Sequence, residues 1–173
     1  MANELILERM QIALGFAPIA LTTARTGDAV SIKSYRRVGV LFLKAVGTAS
    51  DDPTLTILQG TDIAFGTSKA LNFSDVYVKQ DLTKLSDVGQ WTKVTRTGGS
   101  ITNTYTDDTS AEQQAMWWVE FKAEDFDQDN GYDCIRASIS DVGTNSQLGC
   151  VLYFGADPLY PASPANMRGM TTD

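Results

Sequence analysis

The chain has 173 residues, 43% of them apolar and 20% charged, which are the values of an ordered domain long enough to bury a core. Its net charge of −7 argues against binding nucleic acid through phosphate contacts, which need concentrated Lys and Arg. The sequence contains no histidine, which removes the commonest general base and every His-containing zinc site.

In chain order, Leu5, Ile6, Arg9, Ile12 and Ala13 have partial helical spacing that Gly15 and Pro18 break. Residues 1–28 therefore read as an N-terminal arm or short helix. The apolar piece 12–21 has the length of a signal-peptide core. Glu4 and Glu8 precede it, however, where net positive charge is needed. Strand signals follow. "VSIK" (30–33) alternates, and "RRVGVLFLKAV" (36–46) is almost continuously apolar, the pattern of a central strand covered on both faces. "TLTILQ" (54–59) places Leu55 and Ile57 on one face and Thr54 and Thr56 on the other. "VYVKQ" (76–80) is a further short strand. "WTKVTRTGGSIT" (91–102) reads as strand, Gly98-Gly99 turn and strand.

"AMWWVEFKA" (115–123) alternates Trp117, Val119 and Phe121 against Trp118, Glu120 and Lys122; "YDCIRASIS" (132–140) and "LGCVLYFGA" (148–156) complete the set. Short strands without a long helix or a repeat predict an all-β fold, a single-domain β-sandwich or jelly roll over residues 29–157. Residues 158–173, rich in Pro, Gly and small polar side chains, read as an extended tail, only partly ordered. Cys134 and Cys150 sit in two strand-like runs that a connection centred near Val142 can set opposite each other. A bridge between directly paired strands is strained, so both read as buried reduced thiols, consistent with synthesis in the cytosol.

"EDFDQDNGYD" (124–133) alternates acids ahead of an Asn-Gly turn. Counted as an EF-hand from Asp125, it puts Asp127 and Asp129 at ligand positions three and five. Gly131 then falls one place late, and Arg136 stands where the closing bidentate Glu belongs. The flanks are strands, so that reading fails. A looser calcium site of Asp125, Asp127, Asp129 and Asp133 remains beside the simpler one, a tight strand connection. Walker A, G-x-G-x-x-G and G-x-S-x-G patterns are missing. A carboxylate pair such as Glu120 with Asp127 has no geometry to recommend it for glycoside hydrolysis. Catalytic, cofactor-binding and metal residues are therefore assigned as none, with no cofactor. Trp91, Trp117 and Trp118 can build a sugar-stacking platform. Adjacent strand residues face opposite ways, though, so one of Trp117 and Trp118 belongs to the core and the other points outward, where a subunit contact also suits it.

"VSIKSYRRVGVLFLKAVGTASDDPTLTILQGTD" with "SKAL", and "WVEFKAEDFDQDNGYDCIRASISDVGTNSQLGCVLYFGADPLYP" with its D-x-x-Y-P ending, cover most of residues 29–161. They resemble the capsid decoration (cement) proteins of tailed bacteriophages. The resemblance implies a non-enzymatic virion protein, made in the host cytoplasm and placed on the outer surface of the capsid. It implies a homotrimer that bridges major capsid protein subunits and stabilises the shell, with neither nucleic acid nor membrane as partner. The segment from Met1 to Thr26 and an outward tryptophan are expected in its contacts, and the acidic turn is expected to belong to the fold. The alternatives are a tail or baseplate component and a carbohydrate-binding, receptor-binding module.

Overall fold

The computed structural model describes residues 5–107, 113–143 and 145–171. Its strands are β1 (Met10–Ala20), β2 (Arg25–Thr26), β3 (Val30–Ser31), β4 (Tyr35–Lys44), β5 (Thr54–Gly60), β6 (Ser68–Ala70), β7 (Asp75–Asp81), β8 (Thr92–Thr95), β9 (Thr104–Thr106), β10 (Gln114–Lys122), β11 (Cys134–Ile139) and β12 (Leu148–Pro158). The helical turns between them are short 3-10 pieces of three residues. One antiparallel sheet runs β1-β12-β4-β10-β7-β8, and the other runs β2-β11-β5-β6, with β3 also on β11 and β9 also on β5.

The pairings nest. β1 pairs with β12, β2 and β3 with β11, β4 with β10, and β5 with β6, as in one long hairpin. That hairpin is rolled so that β12 also meets β4 and β11 also meets β5. This wrapping is a jelly roll, and the fold is an all-β sandwich. The β7–β8 hairpin extends the first sheet beyond β10.

The strand alternation makes the core. Trp117, Val119 and Phe121 of β10 turn inward beside Val38, Val40 and Phe42 of β4, to meet Leu55 and Ile57 of β5 and Ile135, Ala137 and Ile139 of β11. Trp117 is fully buried, 5.2 Å from the ring of Phe42 and 4.9 Å edge-on from that of Tyr105. The buried Tyr153 hydroxyl of β12 accepts the backbone N–H of Ala137 at 2.8 Å, which ties the two sheets through the core. Burial drives that phenol far above its ordinary range.

Three sequence expectations are revised. Residues 10–20 form neither a helix nor a free arm; they are β1, an edge strand in register with β12 from Met10↔Ala156 to Ala20↔Leu148. Gly15 and Pro18, read as helix breakers, sit where the register shifts between Leu14 and Phe16 and between Phe16 and Ile19. A bulged edge strand tolerates a proline without an N–H. The first four residues of the expected arm lie outside the described residues.

Residues 91–102 are not a hairpin, because β8 lies in the first sheet and β9 in the second. The chain crosses between them at Gly98, φ +56°. Arg96 holds the crossing: its guanidinium donates to the carbonyls of Phe73 and Thr104, both at 2.5 Å, and lies 4.5 Å from the Phe73 ring.

The tail is not a loose extension either. Met167 and Met170 are buried in the core cluster, the Ser31 N–H donates to the Met170 carbonyl at 2.7 Å, and the Tyr35 hydroxyl donates to the carbonyl of Arg168. Residues 172–173 lie outside the described residues. The reading of Cys134 and Cys150 as buried reduced thiols holds: neither is in a disulfide, they lie in opposite sheets and not across one strand pair, and burial pushes the Cys150 thiol up.

Candidate binding surface on the outer face of the first sheet

Directly opposed residues of antiparallel strands share a face, so the register writes the outer surface row by row. One row reads Leu14, Leu152, Leu41, Trp118, Tyr77 and Lys93 across β1, β12, β4, β10, β7 and β8. On one side of it runs Ile12, Phe154, Gly39 and Glu120, and on the other Cys150, Leu43, Met116 and Lys79. The half built on β1, β12 and β4 is wholly apolar. Ile12, Leu14 and Leu43 are 44%, 48% and 37% exposed, and among the described residues no second layer packs on this face. The apolar run 36–46 predicts cover on both faces of β4; the chain supplies it on the inner face alone. Three consecutive aliphatics ahead of β1, Leu5, Ile6 and Leu7, are exposed as well.

The rim is charged with both signs. Arg37 bonds Glu120 at 3.1 Å and Asp157 at 2.9 Å, and the two carboxylates, Asp157 foremost, hold its guanidinium more firmly protonated. Beyond it opens a wide cleft of about 780 Å³ at the end of the sandwich, lined by Lys33, Arg37, Lys122, Glu124, Asp133 and Asp157. Arg36 lines it as well, while Lys33 pairs with Asp133 at 3.5 Å, Arg37 with Asp157 at 2.9 Å and Lys122 with Glu124 at 3.1 Å within it, so most of its positive charge is already matched.

The acidic turn is built as a connection. Asp125 accepts the Lys122 N–H at 2.7 Å. Asp127 pairs with Lys69, accepts the Asn130 amide at 2.9 Å, and through its N–H binds the Gln59 side chain at 2.9 Å. Asp133 faces Lys33, Asp129 is exposed, and Gly131 takes the left-handed φ of +78° that the turn requires. Among the described residues no three carboxylates or thiols converge as a metal site would need. Glu120 and Asp127 are not brought together: Glu120 stands on the outer face of the first sheet, and Asp127 is bound to residues of the second.

Of the tryptophans, Trp117 is core and Trp118 outward, as strand alternation requires. Trp91 and Trp118 meet at one cleft of about 400 Å³, completed by Tyr77 and Glu120. Sequence reasoning did not bring in Tyr77, Phe154 or Leu152. The continuous apolar character of both 36–46 and 148–156 was the available signal, since a two-layer sandwich covers only one face of each strand.

Among the described residues no helix is long and apolar enough to cross a membrane. No protein-family model matches the chain, and no curated sequence matches it. Among solved structures it is similar to the SPBc2 prophage-derived protein YomS, with a TM-score of 0.42 and 10% identity over 83% of this chain and 92% of that one. It is also similar to Desmodium yellow mottle tymovirus, with a TM-score of 0.24 and 13% identity over 90% and 82% of the two chains. A third likeness is to T=1 particles derived from infectious bursal virus, with a TM-score of 0.25 and 11% identity over 94% of this chain and 43% of that one.

Proposed function

We propose that this protein is a non-enzymatic virion component of a tailed phage that binds the outer surface of the head, associates with copies of itself as a homotrimer and bridges major capsid protein subunits. The observation that carries the reading is the apolar outer face of β1, β12 and β4, which one chain leaves uncovered. With strands about 4.8 Å apart and outward residues about 6.8 Å apart along each strand, three rows over these three strands project roughly 300 Å². That is at the lower end of the roughly 300–600 Å² of the largest patch on an ordinary monomer, which is often functional. It is somewhat under half of the ~800 Å² each partner contributes to a standard interface. It therefore suits an interface core, with Arg37, Glu120 and Asp157 as polar rim. Burying it with an equal partner area is worth on the order of 15 kcal/mol gross. Association costs of about 4–15 kcal/mol are of the same size, so the rim contacts and the exposed Leu5, Ile6 and Leu7 have to add to it.

Charge supports the same reading. A chain of net −7 repels its copies, so self-association has to run through a face without charge. The exposed Leu5, Ile6 and Leu7 give each copy a protruding apolar segment for its neighbour. The resemblance of residues 29–161 to capsid decoration proteins supplies the phage and the shell. A protein that binds the assembled shell and not its free subunits stabilises the shell by mass action.

The test is co-sedimentation with purified phage heads lacking this protein, alongside binding to free major capsid protein. Saturable binding to heads, little to free subunits, and a higher rupture temperature of decorated heads are expected. Equal affinity for heads and free subunits overturns the reading.

A further inference from the structure

We propose that the cleft between Tyr77, Trp91 and Trp118, at the β7–β8 flank of the same sheet, is a saccharide-binding site, taking pyranoses with equatorial hydroxyls such as β-linked glucose or N-acetylglucosamine units. Such rings direct their C–H bonds along the ring axis and so present an apolar face that stacks on an aromatic side chain. Their hydroxyls, spread around the rim, need hydrogen-bonding groups at the edge of the platform. The cleft has both.

Trp118 is a platform fixed before any ligand arrives. The benzo half of its indole lies over Gly39, where a β-carbon would stand 2.1 Å from the ring. Phe154 flanks it with centroids 5.3 Å apart, and its N–H points to the Glu120 carboxylate at 3.4 Å. Arg37 holds that carboxylate from its other side at 3.1 Å. A rigid aromatic surface of this kind costs little conformational entropy on binding. Trp91, 40% exposed, supplies a second indole, and Tyr77 a third ring.

Glu120 is the polar group that lines the cleft, and it accepts from hydroxyls. The Lys79 ammonium sits over the Trp91 ring, 5.2 Å from its centroid, and that of Lys93, held by Asp75 at 3.0 Å, sits over the Tyr77 ring at 5.9 Å. Each lysine occupies one face of its ring and can donate to a hydroxyl beside it, and Trp118 is the stacking platform. A volume of about 400 Å³ falls within the roughly 300–1,000 Å³ of small-molecule sites. Nucleobases also stack on indoles, but the net charge of −7 opposes a polyanion. β7 and β8 lie on the far side of the sheet from β1 and β12, so a partner covering the apolar half leaves Tyr77 and Trp91 open, while Trp118, resting on Gly39 and Phe154, borders both surfaces.

The test is a tryptophan-fluorescence and calorimetric titration of the full chain with cellohexaose and chitohexaose, and with maltohexaose as the α-linked comparison. A saturable response to a β-linked oligomer is expected, weaker with maltohexaose. Trp91→Ala should weaken it by about tenfold and Glu120→Gln by a few fold. Trp118→Phe should weaken it while the melting temperature holds, and Tyr160→Ala, far out on the exposed tail, should leave it unchanged. No saturable response to any of the three oligosaccharides up to roughly 10 mM overturns the proposal. So does a response that Trp91→Ala and Trp118→Phe both retain in full.

Discussion

Lys69 and Asn130 both donate to the Asp127 carboxylate and hold it below the ordinary carboxylate range, the lysine contributing most. Asp75 is held down by the Thr95 hydroxyl and Lys93, and Asp81 by the backbone N–H groups of Lys84 and Thr83. For each the folded value lies below the unfolded one, near 3.9. Their contribution to stability is therefore complete above about pH 5 and is lost as pH falls past the unfolded value and through the lower folded ones. Denaturant midpoints measured from neutral pH into acid should stay level to about pH 5 and then fall. Asp127→Asn should lower the neutral plateau and flatten part of the acid limb, with Asp75 and Asp81 keeping the remainder. A limb of unchanged steepness in that variant would show that the turn carboxylate is not held by these partners.

Two connections hold the sandwich where strand pairing does not. Arg96 joins the chain leaving β8 to the chain entering β9, and its guanidinium reaches the carbonyls of Phe73, Thr102 and Thr104. Arg96→Met takes the guanidinium off the Phe73 ring and strands those carbonyls. At about 0.5–1.5 kcal/mol per net hydrogen bond, a loss of roughly 2 kcal/mol is expected. That corresponds to about 4–8 °C in melting temperature for a chain of this size. Hydrogen exchange should quicken at Phe73, whose N–H donates to the Thr102 carbonyl, and leave Val119 unchanged.

The C-terminal segment is held by Met170, 1% exposed, whose sulfur packs against Gly155 so closely that a β-carbon there would lie 2.8 Å away. Met170→Ala should cost about 2–5 kcal/mol, read as a lowered denaturant midpoint at constant slope. A cost below about 0.5 kcal/mol, the surface level, would mean that the tail does not pack there in solution.

For the molecule as a whole, the open question is what covers Ile12, Leu14, Leu41, Leu43, Leu152 and Phe154. Leu14→Glu combined with Leu43→Glu places charges at two exposed positions and takes nothing from the core. The double variant should keep its melting temperature as a monomer within a few degrees and lose self-association, read as a drop to monomer mass by light scattering. An unchanged oligomer would assign the contact to another surface. The protruding Leu5, Ile6 and Leu7 would then be the next place to look.

Several things were readable from residues alone. Alternation identified the β class and the inward set Trp117, Val119 and Phe121, because each strand residue meets either the core or the outside. The residues around Asn130-Gly131 announced a turn for a local reason, the tolerance of glycine for positive φ. Three things were not readable. β1 was hidden because Gly15 and Pro18 break a helix and are equally at home in a bulged edge strand; only the place beside β12 chooses between them. The crossing at Gly98 depended on contacts from Arg96 to Phe73, more than twenty residues back in the chain. And the saccharide cleft exists only because β10 and β7 pair in one register while the loop before β8 folds over them, a long-range arrangement that local propensity cannot encode. Strand identity follows from side-chain alternation within a segment; sheet membership, register and an uncovered face follow from which distant segments meet.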